Sequence, residues 1–246
     1  MLHDHVEISL LSYKTMLEEH NLGEPHITLV GGEKWYPEDE RRQLRDISNA
    51  ELERLGLSRG GRLSPGFLDT VQVLQRPGTE FYTWASINGS HVTVRTAVSG
   101  REAVIAIANS DTLFLWPGRP ETAAQDLIAQ LPDTPPANVH SMSCAEADYE
   151  AVVRGNPTHD GGSARDAKQI ARWLKAPRIH VGQFYAAVRD SGGARRRTSK
   201  PPFWIDTDAG RITAGVDSSG WLSLSGAGPQ ELTAKLYRLE AELRGR

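Results

Sequence analysis

The sequence predicts an α+β protein in which an antiparallel sheet is laid down twice. Three observations point there. Short alternating strands are joined by two- and three-residue turns, which only antiparallel neighbours allow. Helices flank each run of strands. The strand order of the first half also recurs in the second: "FYTWASINGS" (81–90) is echoed by "FYAAVRDSGG" (184–193), and "SGREAVIAIANSDTLFLWPGRPETAAQDLIAQL" (99–131) by "AGRITAGVDSSGWLSLSGAGPQELTAKLYRL" (209–239). A repeat fixes architecture before any single element does. The whole chain, 1–246, is expected to form one domain of two pseudo-repeated halves, 1–131 and 164–246, joined by a flexible connector over about 132–163.

Each element has its own signal. Val6, Ile8 and Leu10 alternate with polar residues, as in a half-buried strand, and a short helix is expected from about Ser12 to His20. "EDERRQLRDISNAELERLGL" is charged and helix-permissive. "SPGFLDTVQVLQRP" is a clearer helix: Ser64 stands at the N-cap position, Pro65 suits the first turn, Phe67, Leu68, Val71 and Leu74 form a stripe, and Pro77 ends it. "FYTWASI" leads through Asn88-Gly89, the strongest short hairpin signal, into "HVTVRTAV", where Val92 and Val94 share a face. "EAVIAIA" and "TLFLWP" complete a four-strand meander. "PETAAQDLIAQL" is a helix with Ala124, Leu127, Ile128 and Leu131 on one side.

Proline, glycine and polar residues dominate both ends of the connector, with a short helix expected over Cys144–Val153. "RDAKQIARWLKA" is a helix that turns Ile170, Trp173 and Leu174 inward. Strands then return in "IHVGQFYAAVRD", "PFWIDTD", "ITAGVDSS" and "GWLSLSG", with the arginine-rich "SGGARRRTSKP" as a hairpin tip. A last helix carries Leu232, Leu236, Leu239 and Leu243 at helical spacing.

Composition narrows the function classes. The 246 residues carry a formal net charge of −3, the opposite of a broad nucleic-acid footprint. The single cysteine, Cys144, excludes an intrachain disulfide or a multi-cysteine metal site and suits a reducing compartment. The opening residues lack a basic, then apolar, leader, and no apolar run reaches the ~18 residues of a membrane span. A cytoplasmic protein with no membrane insertion is the expectation.

The search for chemistry returns little. HExxH, G-x-S-x-G, P-loop and G-x-G-x-x-G patterns do not occur. The eight histidines are scattered, with His3-Asp4-His5 at the terminus and His159-Asp160 in the connector. Cys144 has no base partner in sequence. "DTD", Asp206 to Asp208, is the sharpest candidate: carboxylates two apart on a strand share a face and can chelate a cation. The first-half copy reads Thr96, Ala97, Val98 at that place and still runs into Gly100-Arg101, as the second runs into Gly210-Arg211. The hairpin therefore needs no metal, and turn and edge solvation is the expected role. No catalytic group, metal or cofactor is expected. Two alternatives stay open: an enzyme using Asp206, Asp208 and Arg211 on a phosphorylated substrate, and a subunit that self-assembles through sheet edges, for example into a homodimer.

The stretch "GQFYAAVRDSGGARRRTSKPPFWIDTDAGRITAGVDSSGWLSLSGAGPQEL" resembles the C-terminal signature of the EspG family, cytosolic chaperones of actinobacterial type VII secretion systems. "GRLSPGFLDTVQVLQRP" and the "GREAVIAIA" meander agree in outline. The resemblance implies a quasi-twofold α+β fold whose central antiparallel sheet is flanked by helical bundles. It also implies a non-enzymatic role: binding the helical tip of a secreted PE/PPE-like substrate and keeping it soluble for export. Matching the family's binding regions to this chain marks Ile87, Asn88, Gly89, Ser90 and His91, the basic Arg195, Arg196 and Arg197, and Lys168 and Arg172 as partner-facing. The chain departs from mycobacterial members at the first of these, which is here only a tight "NGS" turn.

Overall fold

The computed structural model describes residues 1–2, 4–30, 37–156 and 161–245. In chain order the first half contains β1 (Val6–Ser9), α1 (Leu10–Glu19), a 3-10 turn (Ile27–Leu29), α2 (Glu38–Arg54), the small pair β2 (Ser58–Arg59) and β3 (Arg62–Leu63), α3 (Pro65–Gln75), β4 (Thr79–Ile87), β5 (Ser90–Ser99), β6 (Glu102–Asn109), β7 (Thr112–Gly118) and α4 (Ala123–Ile128). Then follow β8 (Met142–Ala145), α5 (Glu146–Arg154), α6 (Gly162–Lys175), β9 (His180–Arg189), β10 (Arg195–Arg197), β11 (Phe203–Thr207), β12 (Gly210–Val216), β13 (Trp221–Gly226) and α7 (Pro229–Arg244).

One antiparallel sheet runs through the molecule in the order β1-β7-β6-β5-β4-β9-β11-β12-β13-β8, with β10 beside β9. The order reads as two meanders meeting at β4 and β9. At that seam Tyr82 lies opposite Tyr185. These are equivalent positions of the two copies, each directly after the aligned Phe81 or Phe184. A pseudo-twofold axis therefore passes between the two tyrosines.

Alternation along β4 and β9 gives the sheet two different faces. The back carries Phe81, Ala85, Phe184, Ala186 and Val188, covered by α4 and α7 through Leu127, Ile128, Leu232 and Leu236. On the front, helices crowd the ends. The stripes of α1 and α3 pack on Ala97, Val104, Ala106, Leu113 and Leu115 at one end. Ala167 and Ile170 of α6 pack with Ile205, Ile212, Leu222 and Leu224 at the other.

Helix starts follow local chemistry. The Ser9 hydroxyl accepts from Ser12 N–H (3.0 Å) at α1, and the Glu231 carboxylate accepts from Gly228 N–H (2.9 Å) at α7. Ser64 is the N-cap before Pro65 as expected; its side chain makes no cap bond, but its carbonyl accepts from Leu68 N–H (2.9 Å) and Pro65 sets the first turn of α3.

Three readings are corrected. The arginine run is not a hairpin tip: Arg195–Arg197 form β10, paired with Ala187–Arg189, and the turn is 190–194. Met142–Ala145, read as connector, form an edge strand on β13. The two "GR" pairs are also not equivalent. Gly100-Arg101 make the β5–β6 turn, since Ser99 faces Glu102. In the second half Thr207 faces Gly210, so Asp208-Ala209 make the turn and Gly210-Arg211 begin β12. Counted from the turns, the counterpart of Asp206–Arg211 is the apolar pair Val98–Ala103.

Candidate partner-binding surface

The front of β4 and β9, between the two helical groups, is floored by aromatic rings. Tyr82 and Tyr185 stack face to face, 5.0 Å apart and 3° from parallel. Trp84 stands edge-on to both, at 5.4 and 5.1 Å. Such pairs hold one another in place as well as burying area. Tyr82 is buried, Trp84 and Tyr185 are half-buried, and Gln183 beside them is exposed and accepts from the Tyr185 hydroxyl (3.0 Å). The 3-10 turn packs on this side of β4 and β5, its Thr28 carbonyl accepting from Thr93 Oγ1 (2.6 Å), and leaves Ile27 and Val30 exposed at 49% and 38%. The result is a strip with a rigid aromatic floor and an apolar lip.

A buried charge cluster anchors one end of the strip. Glu80, 1% exposed, takes Arg95 Nε at 2.7 Å and Arg195 Nε at 2.6 Å. Arg95 also donates to the Leu74 carbonyl (2.8 Å), and the Arg195 guanidinium lies 5.9 Å over the Tyr82 ring. Burial pushes the Glu80 carboxyl up, but the Arg95 and Arg195 guanidinium groups outweigh it and hold the group below its ordinary range. His26 meets the edge of Tyr82 at 5.0 Å. Burial first, and then Arg95, lowers its pKa to about 3, so it stays neutral at physiological pH.

The residues marked from sequence fall in three places. Asn88 and Gly89, both at positive φ, form the two-residue turn between β4 and β5, with Ile87 facing Ser90 and His91 following, exposed. His180 ties this turn down, contacting Asn88 Oδ1 and Asp206 Oδ2 at 3.0 Å each. Lys168 and Arg172 are exposed one helical turn apart on α6. Arg195, Arg196 and Arg197 sit on β10 at the other end of β9. A nine-residue strand separates that end from the Asn88 turn, roughly 26 Å at ~3.3 Å per residue. Arg195 is turned inward onto Glu80, and Arg197 is exposed.

Missed from sequence were Tyr82, Trp84 and Tyr185 as a group. A signal existed: Phe81 and Tyr82 are adjacent, as are Phe184 and Tyr185, so each copy puts an aromatic on both faces of its first strand. Of the other strand tryptophans, Trp204 is fully buried and Trp221 is 45% exposed.

Asp206 is not available to a ligand. Arg211 grips it with two bonds, Nε to Oδ1 at 2.6 Å and a terminal nitrogen to Oδ2 at 2.8 Å, and Thr134 adds a third at 2.9 Å. Asp208 is exposed on the turn. Turn and edge solvation describes Asp208, whereas Asp206 is a buried ion-pair partner. His3 and His159-Asp160 lie outside the described residues. Among the described residues no helix is long and apolar enough to cross a membrane.

Three comparisons place the chain among known proteins. The model of the EspG family matches residues 9–238. A solved structure of the Mycobacterium tuberculosis type VII secretion system chaperone EspG5, in complex with a PE25–PPE41 dimer, superposes with a TM-score of 0.71 at 15% identity, covering 96% of this chain and 95% of that one. At that identity the likeness speaks to the fold. The crystal structure of an N-terminal dehydratase from the difficidin assembly line gives a TM-score of 0.12 at 10% identity over 76% of this chain and 86% of that one, and carries no argument. No curated protein matches by sequence.

Proposed function

We propose, from the premise that this chain belongs to the EspG family, that it is a cytosolic chaperone of a type VII secretion system. It would hold the helical tip of a PE/PPE-like substrate and keep it soluble until export. The observation that carries this reading is the family match over residues 9–238. The EspG5 structure, of the same fold, contains a PE25–PPE41 dimer.

The front strip has the physical character such a task requires. An amphipathic helix tip docks by seating apolar anchors in a groove, and Trp84 with Tyr185 supplies rigid, half-open aromatic area of the kind that concentrates binding energy. Ile27 and Val30 extend the apolar surface. The Asn88 turn, Lys168 and Arg172, and Arg197 are proposed as polar contacts at its rim. A complex of standard size needs roughly 1,600 Å² of total buried surface. No bond is made or broken in this role, so the chain is read as a binding protein and not as an enzyme.

The test is co-expression with candidate PE–PPE pairs from the same source, followed by size-exclusion chromatography with light scattering. A stoichiometric complex is expected with at least one pair. Trp84→Ala should weaken that complex by about 2 kcal/mol or more, the cost of losing a central aromatic anchor, with the circular dichroism spectrum unchanged. Failure of every expressed, soluble pair to associate would sink the reading.

A further inference from the structure

A second site lies on the opposite face of the sheet. A cavity of about 150 Å³ opens between the C-terminal half of α7, the 198–202 segment that follows β10, and the β12–β13 turn. Lys235 and Arg238, one helical turn apart on α7, both line it, and the hydroxyl-bearing Ser199 and Ser218 lie opposite.

Neither cation is matched. Among the described residues no carboxylate reaches ion-pair distance of Lys235 or Arg238, although neighbouring cations do find partners: Arg244 pairs with Glu240 at 2.8 Å and Lys200 with Glu146 at 3.5 Å. Asp217 lines the same cavity, but its Oδ1 is committed to its own turn, accepting from the Ser219 and Trp221 amides at 2.9 and 3.0 Å. A half-buried ammonium beside a guanidinium, with no carboxylate on either, is the arrangement a bound anion would complete.

We propose that this cavity binds a small oxyanion, phosphate or carboxylate, between Lys235 and Arg238, with Ser199 and Ser218 as further donors. The site is separate from the front strip and stands or falls independently of any partner protein.

The charge balance gives the site a pH signature. Burial, and then Arg238, pushes the Lys235 amine down to about 8. The charged groups facing it are Arg238 and Glu242 from α7, Lys200 from the 198–202 segment and Asp217 from the turn. An anion favours the protonated amine and raises its pKa in the complex. Affinity is therefore full below about pH 8 and falls as pH rises through that value, by at most tenfold per unit.

The experiment is a chemical-shift titration of the full chain at constant ionic strength, with sodium phosphate in one arm and sodium acetate in the other. Saturable shifts are expected at 198–202, 215–218 and the C-terminal turns of α7. Saturation by phosphate alone assigns a tetrahedral oxyanion, and equal saturation by acetate assigns a carboxylate. If acetate binds, its affinity, free of a titration of its own in this range, should fall between pH 7 and pH 9.5. Lys235→Met and Arg238→Met should each weaken binding about tenfold or more, while Lys175→Met, exposed on α6 and away from the cavity lining, leaves it within twofold. Arg238 is exposed, so its variant keeps the test informative if the Lys235 variant folds poorly. Absence of saturable shifts in both arms, or binding unaltered by both α7 variants, would overturn the proposal.

Discussion

Both oxygens of Asp206 are spent inside the protein, on Arg211, His180 and Thr134, whereas Asp208 faces solvent on the following turn. Removing one partner of a buried pair leaves the other charge stranded. Asp206→Ala should therefore destabilise by about 3–5 kcal/mol, and Asp208→Ala should stay within about 0.5 kcal/mol. Denaturant midpoints decide this, and equal effects at the two positions would contradict the assignment. The first half fills the corresponding place with Val98 and Ala103, as expected where an apolar pair can do the structural work of a buried ion pair. His26 makes a second prediction. Its folded pKa of about 3 lies below the unfolded value near 6.5, so the unfolded chain binds the extra proton as pH falls. Stability is full above about pH 6.5 and declines below it, toward the folded value. Between pH 7 and pH 5 this one residue should account for about 2 kcal/mol of loss. In His26→Gln the fall in urea midpoint over that window should be smaller by the corresponding amount, and an unchanged pH slope would refute the burial of a neutral imidazole.

Glycine in the middle of a central strand usually weakens it, and Gly182 in β9 looks like such a flaw until its surroundings are seen. A methyl group there would meet Trp204 Nε1 at 2.6 Å and the Trp84 carbonyl at 2.8 Å. The bare backbone is what lets the Trp204 indole lie across the back of the sheet, stacked on Phe184 at 6.3 Å with the Arg211 guanidinium 5.0 Å from its ring. Gly182→Ala is therefore expected to cost about 1–3 kcal/mol by overpacking, read as a drop in melting temperature; a neutral result would mean that Trp204 can shift freely. This contact could not be read from sequence, because it joins residues on neighbouring strands. Elements with dense periodic signals were legible: the stripes of α3, α4, α6 and α7 and the β4–β7 meander. β8 was not, because only Met142 and Cys144 face the core in a four-residue edge strand beside a proline-rich run. β10 was not, because three consecutive arginines carry no strand signal, and its pairing is held by β9 and by Glu80, 115 residues away. Of the binding surface, the Asn88 turn was legible from two residues. The aromatic strip was not, since Trp84 and Tyr185 meet only when β4 pairs with β9.

That seam also governs how the molecule should unfold. We propose the division into halves 1–131 and 164–246 as a description of ancestry and not of independent folding units. The core behind the seam is shared: Phe81, Ala85, Val94 and the α4 residues Ala124, Leu127 and Ile128 come from one half, while Phe184, Ala186, Trp204 and the α7 residues Leu232 and Leu236 come from the other. Phe81 of the first half meets Tyr237 of the second edge-on at 5.7 Å, and the Tyr237 hydroxyl donates to the Glu121 carbonyl at 3.0 Å. Separating the halves would expose the inner edges of β4 and β9 along a ladder that runs from Thr79–Val188 to Ile87–His180, leaving unpaired strands that invite aggregation. Neither half is therefore expected to remain soluble when expressed alone. In the intact chain, denaturant unfolding followed by far-ultraviolet circular dichroism and by tryptophan fluorescence should give coincident curves, the signature of one cooperative unit. The tryptophans report from both halves, Trp35, Trp84 and Trp116 in the first and Trp173, Trp204 and Trp221 in the second. A biphasic fluorescence curve, with one transition at lower denaturant, would show that a half can persist without its mate and that the shared core is not what binds them.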